Sequence, residues 1–433
     1  MDRQLTHDAY GHILTNIRCW SSDGQWIVFD TRSGAAGDEF DGTRIERVHA
    51  DTGKVERLYE SLRGAKCGVA TCCPVTDRVI FILGPEAPDA DWPYAAYHRR
   101  GVFLKPGDAN PTSLDAMCYA EPFVPGALRG GSHVHTFDSH GRCVAFTYED
   151  HVLAVARPTG NSEQNRRSIG ISSPVRSVQV HDGHPRNHSG SHFSVLLTRA
   201  CDEPRPGSDE IARAVEDAWV GESGYRSPDW KNFLPSIAFL GDVITKRGEK
   251  ITELFIVELP PDITVASQDG PLEGTSTQRP RPPLGTRQRR LTYTEDFPAP
   301  GISSPRHWPR STPDGSRIFF LMRDGNGAAQ LWSISPSGGV PQQLTRLAGG
   351  VTSAFSVSAD GRWLAHTADS CVCATSIESG ETLRLTEPRG GDSAPRPEAC
   401  VFAPAGHRIA YVRRVSGHQG TWNQVCVVDA DLS

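Results

Sequence analysis

The stretch CWSSDGQWIVFDT, residues 19–31, decides the fold. A short polar turn built on Asp-Gly runs at once into an apolar segment, the pattern of a strand, a tight turn and a second strand. The same phrase returns as TFDSHGRCVAFTY (136–148), RSTPDGSRIFFLM (310–322), SVSADGRWLAHTA (356–368) and VFAPAGHRIAYVR (401–413), and more weakly as CCPVTDRVIFILG (72–84). Gly315, Gly361 and Gly406 stand 46 and 45 residues apart, close to the period of one four-stranded propeller blade. A third strand follows each hairpin, as in AQLWSISPSGG or ELFIVELP, and a short fourth segment follows that, as in PQQLT, LRLTE and QRRLTYT.

Counted this way the chain predicts an all-β, seven-bladed β-propeller, one domain over residues 1–433. Its blades begin near Asn16, Lys66, Ser132, Ser191, Arg306, Thr352 and Pro397. Blade four is read as SGSHFSVLLTRA, resuming at SIAFLGDV after a small insertion over about 201–233. There Ser208, the acidic residues after it, and Ile211, Val215 and Trp219 at helical spacing predict a capped helix. The last blade stops after its third strand, NQVCVVDADL, whereas the N-terminus reads RQLT, the phrase that ends other blades. Residues 3–6 are therefore expected to supply the outer strand of blade seven, closing the ring and removing exposed sheet edges. The alternative reading is two separate β-domains.

Bulk properties narrow the function. Of 433 residues, 37% are hydrophobic and 22% charged, enough for a sizeable core. A net charge of −6 with a pI near 6.2 argues against bulk binding of nucleic acid. No apolar run of transmembrane length and no apolar leader at the N-terminus are present, so no membrane partner is expected. Eleven cysteines without a CxxC pair read as reduced thiols, and the expected location is cytoplasmic. The oligomeric state is not legible.

The turn glycines give a ruler for the innermost strand of each blade, which lines the axis. Eight residues before Gly141 is His133, before Gly315 His307, before Gly24 Asn16, before Gly361 Ser353 and before Gly406 Glu398. The segment SGSH mirrors GGSH, which places His192 at the same level; the nearest candidate in blade two is Cys67. His135, two residues beyond His133, shares its face if the strand is regular. Such a ring suits a divalent metal, with zinc, manganese or iron on neutral imidazoles and Glu398 or Asn16 completing the set. The competing reading is a wet polar channel whose histidines bond only water and backbone. Arg306, Arg129 and Arg18 adjoin the ring and could fork onto carboxylates. The YHRRG stretch adds His98, Arg99 and Arg100 on a strand-entry loop, for which the alternative is an ordinary solvated hairpin edge. Trp92, Tyr94, Tyr97 and Trp308 could stack on sugar rings. No nucleophile elbow, P-loop or dinucleotide fingerprint stands in a strand–turn–helix setting.

The segments GGSHVH, SGSH, PGSDEI, ELFIVELP, QRRLT, PRHW, FLMRDGNG and QLWSISPSGG resemble the YidR family, nearly end to end. That resemblance implies a TolB-like propeller with no assigned activity; GAKCGV departs from it, with Cys67 where the family has histidine. More distantly, SHVHTFDSHG and PRHWPRSTPDG are similar to motifs of the oligogalacturonate lyase family, although Gly130 stands where that family's pattern would call for glutamine. The second resemblance implies a manganese-dependent lyase, with zinc as the other candidate metal. It would act by β-elimination on acidic, uronate-containing oligosaccharides. His133, His135, His192 and Glu398 would hold the metal, and His307 would be a fourth ligand or the base. Arg306 would clamp the carboxylate, and Arg18, Arg129, His98, Arg99 and Arg100 would line the substrate. The alternative is a non-catalytic propeller that binds a protein or glycan at its channel mouth.

Overall fold

The computed structural model describes residues 2–34, 37, 39–156, 162–227, 232–418 and 420–432. Its main sheets are seven four-stranded antiparallel blades. The innermost strands are, in order, Gly11–Ile13, Cys67–Cys72, Gly130–Phe137, Ala214–Trp219, Arg310–Ser311, Ser356–Val357 and Pro395–Phe402. In blade seven Asp2–Gln4 pairs antiparallel with Gly420–Asp429, Arg3 opposite Val427, and so fills the fourth position.

The second strands show why the sequence builds stacked blades. Val79–Leu83 (VIFIL) is buried at every position and Trp26–Arg32 at all but its first, because a blade is covered on both faces by its neighbours. Outer strands such as Val55–Glu60 (VERLYE) stay half exposed. The apolar core is divided among the interfaces between blades. Phe81 and Val28 pack between blades one and two, Phe239 and Ile169 between three and four, and Tyr411 and Ala365 between six and seven. A cluster containing Phe29, Val48, Val412 and Val427 joins blade seven back to blade one, so the ring closes through apolar packing as well as through the borrowed strand. The five hairpin glycines Gly24, Gly141, Gly315, Gly361 and Gly406 all have φ between +65° and +77°, a conformation that favours glycine.

Blade four departs from expectation. Phe193–Leu196 is the outermost strand of blade three, paired to Ser168–Ser173. Blade four begins only at Ala214, and the predicted helix is its innermost strand, Ala214–Trp219. The side-chain spacing misled: Val215 and Trp219 are four apart, an even number, which strand alternation satisfies as well as a helical turn does. Residues 228–231 of the expected insertion lie outside the described residues. Among the described residues no helix is long and apolar enough to cross a membrane.

Candidate functional site

Three consecutive innermost strands share a defect. Val69, Val134 and Glu216 each have φ +56°, and the pairing register shifts there, between Gly68 and Thr71, His133 and Thr136, and Val215 and Ala218. Each is a β-bulge, which inserts an unpaired residue and bends the strand. In blade three the bulge falls between the two histidines, so the same-face rule for His-x-His does not hold. His135 turns between blades two and three. It bonds Ser132 Oγ at 2.9 Å and lies so close to Gly101 that any side chain there would meet its ring. Ser132 in turn donates to Asp115, which also accepts from Ser172 and Ser194, so His135 is tied through Nε2 into a buried polar network, while its Nδ1 has no partner among the described residues.

His133 remains at the axis, paired across to Thr147 near the end of the channel where the innermost strands begin. It is 4% exposed and, among the described residues, neither ring nitrogen has a hydrogen-bond partner. Burial holds its pKa well below the usual imidazole range, and Arg99, Arg167, His135 and Arg306 press it the same way, so the ring is neutral at pH 7. Glu149 Oε1 stands 3.9 Å from His133 Nε2, too far for a hydrogen bond, and is itself gripped by Arg167 through Nε at 2.9 Å and through Nη2. Arg306 reaches this mouth from the loop before blade five and pairs with Glu216 at 2.8 Å. Arg99 has no carboxylate partner among the described residues; its guanidinium lies over Phe40 (4.7 Å) and Tyr94 (5.3 Å), two rings that stack on each other.

The mouth thus gathers His133, Arg99 and Arg306 from the residues expected, and adds Arg167, Glu149, Glu216 and Phe40. Glu149 was reachable from sequence, since it sits two positions from the partner of His133 on the neighbouring strand; Arg167 and Glu216 needed the pairing and the bulge.

The other candidates are placed elsewhere. His307 is a structural histidine: its Nδ1–H donates to the Pro305 carbonyl (2.9 Å) and its Nε2 accepts the Leu321 amide (2.9 Å), leaving no lone pair for a metal or a proton. His192 stands before the outermost strand of blade three, bonded to Ser191 and edge-on to Phe103. Glu398 accepts from Arg396 at 2.8 Å. Asn16 bonds the Phe355 carbonyl and the Cys400 amide. Arg129 is fully buried, paired with Asp150 (2.8 Å) and donating to the Thr275 and Gln278 carbonyls, so it ties blade three to a loop of blade four. His98 is stacked on Trp92 and bonded to Pro93 O and His151. Arg100 lies 3.7 Å from Glu86 beside a separate cavity formed with Arg57 and Tyr59. Arg18 lies at the opposite end of the channel, among the hairpin turns. Among the described residues no group of three His, Cys, Asp or Glu side chains converges to hold a metal ion. The set His133, His135, His192 and Glu398 therefore does not fit a divalent cation, because the bulge, the strand exchange and the Arg396 pair send its members to different places.

Comparison with known proteins agrees with this architecture. Residues 66–188 match the family described as "Protein of unknown function (DUF3748)". The "Uncharacterized protein YidR" of Escherichia coli (strain K12) is 44% identical over 413 residues, 95% of this chain and 94% of that one. Among solved structures, an oligogalacturonate lyase in complex with manganese is 11% identical with a TM-score of 0.57, over 99% of this chain and 93% of that one. The oligogalacturonate lyase of Vibrio parahaemolyticus is 8% identical with a TM-score of 0.59, over the same shares. At such identities the likeness is one of fold.

Proposed function

The chain belongs to the YidR family, and on that premise we propose that the mouth where the innermost strands begin binds a carboxylate-bearing saccharide and eliminates across it, His133 acting as base. The observation that carries this reading is a buried, neutral imidazole with both nitrogens unpartnered, set in the field of Arg99, Arg167 and Arg306. Elimination next to a uronate carboxylate is slow because the proton α to it is weakly acidic. Cations on the carboxylate stabilise the charge that develops as this proton leaves. Arg99, which has no carboxylate partner among the described residues and is held in place over the stacked Phe40 and Tyr94, is the fork for that task. The C–H electron pair becomes the new double bond and the proton passes to His133. The glycosidic C–O pair departs on oxygen, which takes a proton from solvent.

Incubation with a panel of uronate oligosaccharides, followed by near-ultraviolet absorbance of the unsaturated product, tests the reading. His133→Ala is expected to lower turnover by about 10²–10⁴-fold, the usual weight of a general base. Arg99→Gln is expected to raise KM by about 10–100-fold, the worth of a charged hydrogen bond. Saccharide binding without any product would leave a binding propeller as the function and refute the lyase.

A further inference from the structure

The hairpin ends of the blades enclose a cavity of about 460 Å³ at the other mouth of the channel, lined by residues of all seven blades. Two arginines stand in its wall, and both are left unneutralised. Arg310 is 7% exposed; it donates to the carbonyls of Pro309 and Asn16, its Nε has no partner, and no carboxylate lies within ion-pair range among the described residues. Arg18 is partly buried, makes no side-chain hydrogen bond or ion pair among the described residues, and its buried Nε is likewise unpartnered. Its backbone has φ +48°, a conformation a residue with a side chain adopts at a cost, so arginine at this point is not a product of local backbone preference.

The surrounding charges do not cancel the pair. Asp217 is held between blades three and four by Thr147, and burial raises its pKa to about 7, so it is only partly ionised at neutral pH. Asp138 accepts the Arg142 amide in its hairpin turn, and Glu222 is exposed at the rim. Burial lowers the pKa of Arg310 to about 9, and Arg18 pushes it further down. Two cations sharing a cavity, one buried and one partly so, repel each other, and an anion placed between them relieves that repulsion while filling their unused donors. Trp219, only partly buried and with its indole N–H bonded to the Thr136 carbonyl, lines the cavity and presents apolar ring surface to the rest of a ligand.

We infer that this cavity is a second ligand site, distinct from the His133 mouth, and that it takes a small organic anion whose phosphate or carboxylate group lies between Arg18 and Arg310. Inorganic phosphate, glucose 6-phosphate and galacturonate, titrated by calorimetry at matched ionic strength, separate the two anionic groups and test the need for a ring. The expected result is saturable binding of at least one probe. Arg18→Gly should weaken it tenfold or more while the thermal midpoint holds or rises, because glycine suits φ +48° and the variant stays folded. Arg18→Lys, which keeps the charge without the fork, should fall between. Absence of saturable binding to the wild-type protein by all three probes, or undiminished binding in Arg18→Gly, would overturn the inference.

Discussion

Replacing Gly101 with alanine tests where the structure puts His135. A Cβ at that position would lie 2.5 Å from His135 Nε2 and 2.8 Å from its Cδ2, against about 3.5–4 Å for an ordinary contact. The imidazole would have to retreat by about 1 Å, yet its Nε2 is tied to Ser132 at 2.9 Å and its face lies toward Phe146. Overpacking of this kind costs about 1–3 kcal/mol. Loss of the Ser132 bond adds about 1 kcal/mol. The reduced freedom of the unfolded chain returns about 0.4–1 kcal/mol, since Gly101 does not sit at positive φ and alanine suits its backbone. The net expectation for Gly101→Ala is a loss of about 1–3 kcal/mol, read from equilibrium unfolding in urea. In a His135→Ala background the ring is gone and only the backbone effect remains. The same substitution should then stabilise by a few tenths to about 1 kcal/mol. A change of sign between backgrounds is the signature of this one contact. Equal effects in both would mean that His135 does not occupy the gap between blades two and three.

Two further outcomes follow from the buried histidines. His307→Ala should cost about 2–4 kcal/mol of stability, because it strands the Leu321 amide and the Pro305 carbonyl in the interior. Turnover per folded molecule should survive, and a folded variant without activity would restore His307 as a catalytic group. Burial also depresses His12, His307 and His366 to about 4 and His135 to about 3, from an ordinary value near 6.5. The folded state binds fewer protons than the unfolded state below pH 6.5, so stability present above that value is lost as the pH falls. Each ring would forfeit on the order of 3 kcal/mol by pH 4. The urea midpoint should therefore fall steeply between pH 6.5 and 4, and a flat profile would show that these rings are hydrated.

The repeat that builds the propeller was legible because each blade writes its own hairpin locally. Asp-Gly turns such as Asp23-Gly24 and Asp360-Gly361 need only neighbouring residues to form, and the apolar runs behind them need only a covered face. The borrowed strand at Asp2–Gln4 was legible for the same reason, since RQLT carries the outer-strand phrase wherever it falls in the chain. His133 and Arg99 could be named from spacing, and both stand at the mouth. Arg306 was named as well and Glu149 was within reach, but the remaining residues of the site and the fates of the other candidates were not legible, and the causes are long-range. A single residue at φ +56°, Val134, sends His135 to another interface, and nothing in VHT announces it. His192 reads like His133 in sequence, but its strand pairs with Ser168–Ser173 and is carried to the rim. Arg18 and Arg129 look alike as candidates; one faces a cavity at the far end of the channel, the other is consumed by Asp150. Sequence alone determines how many blades there are and, outside blade four, where the hairpins turn, because hydrogen-bonding period and turn chemistry are local. Which side chains meet at the axis is decided only in the folded ring, because bulges and strand pairing are settled by contacts between residues far apart in the chain.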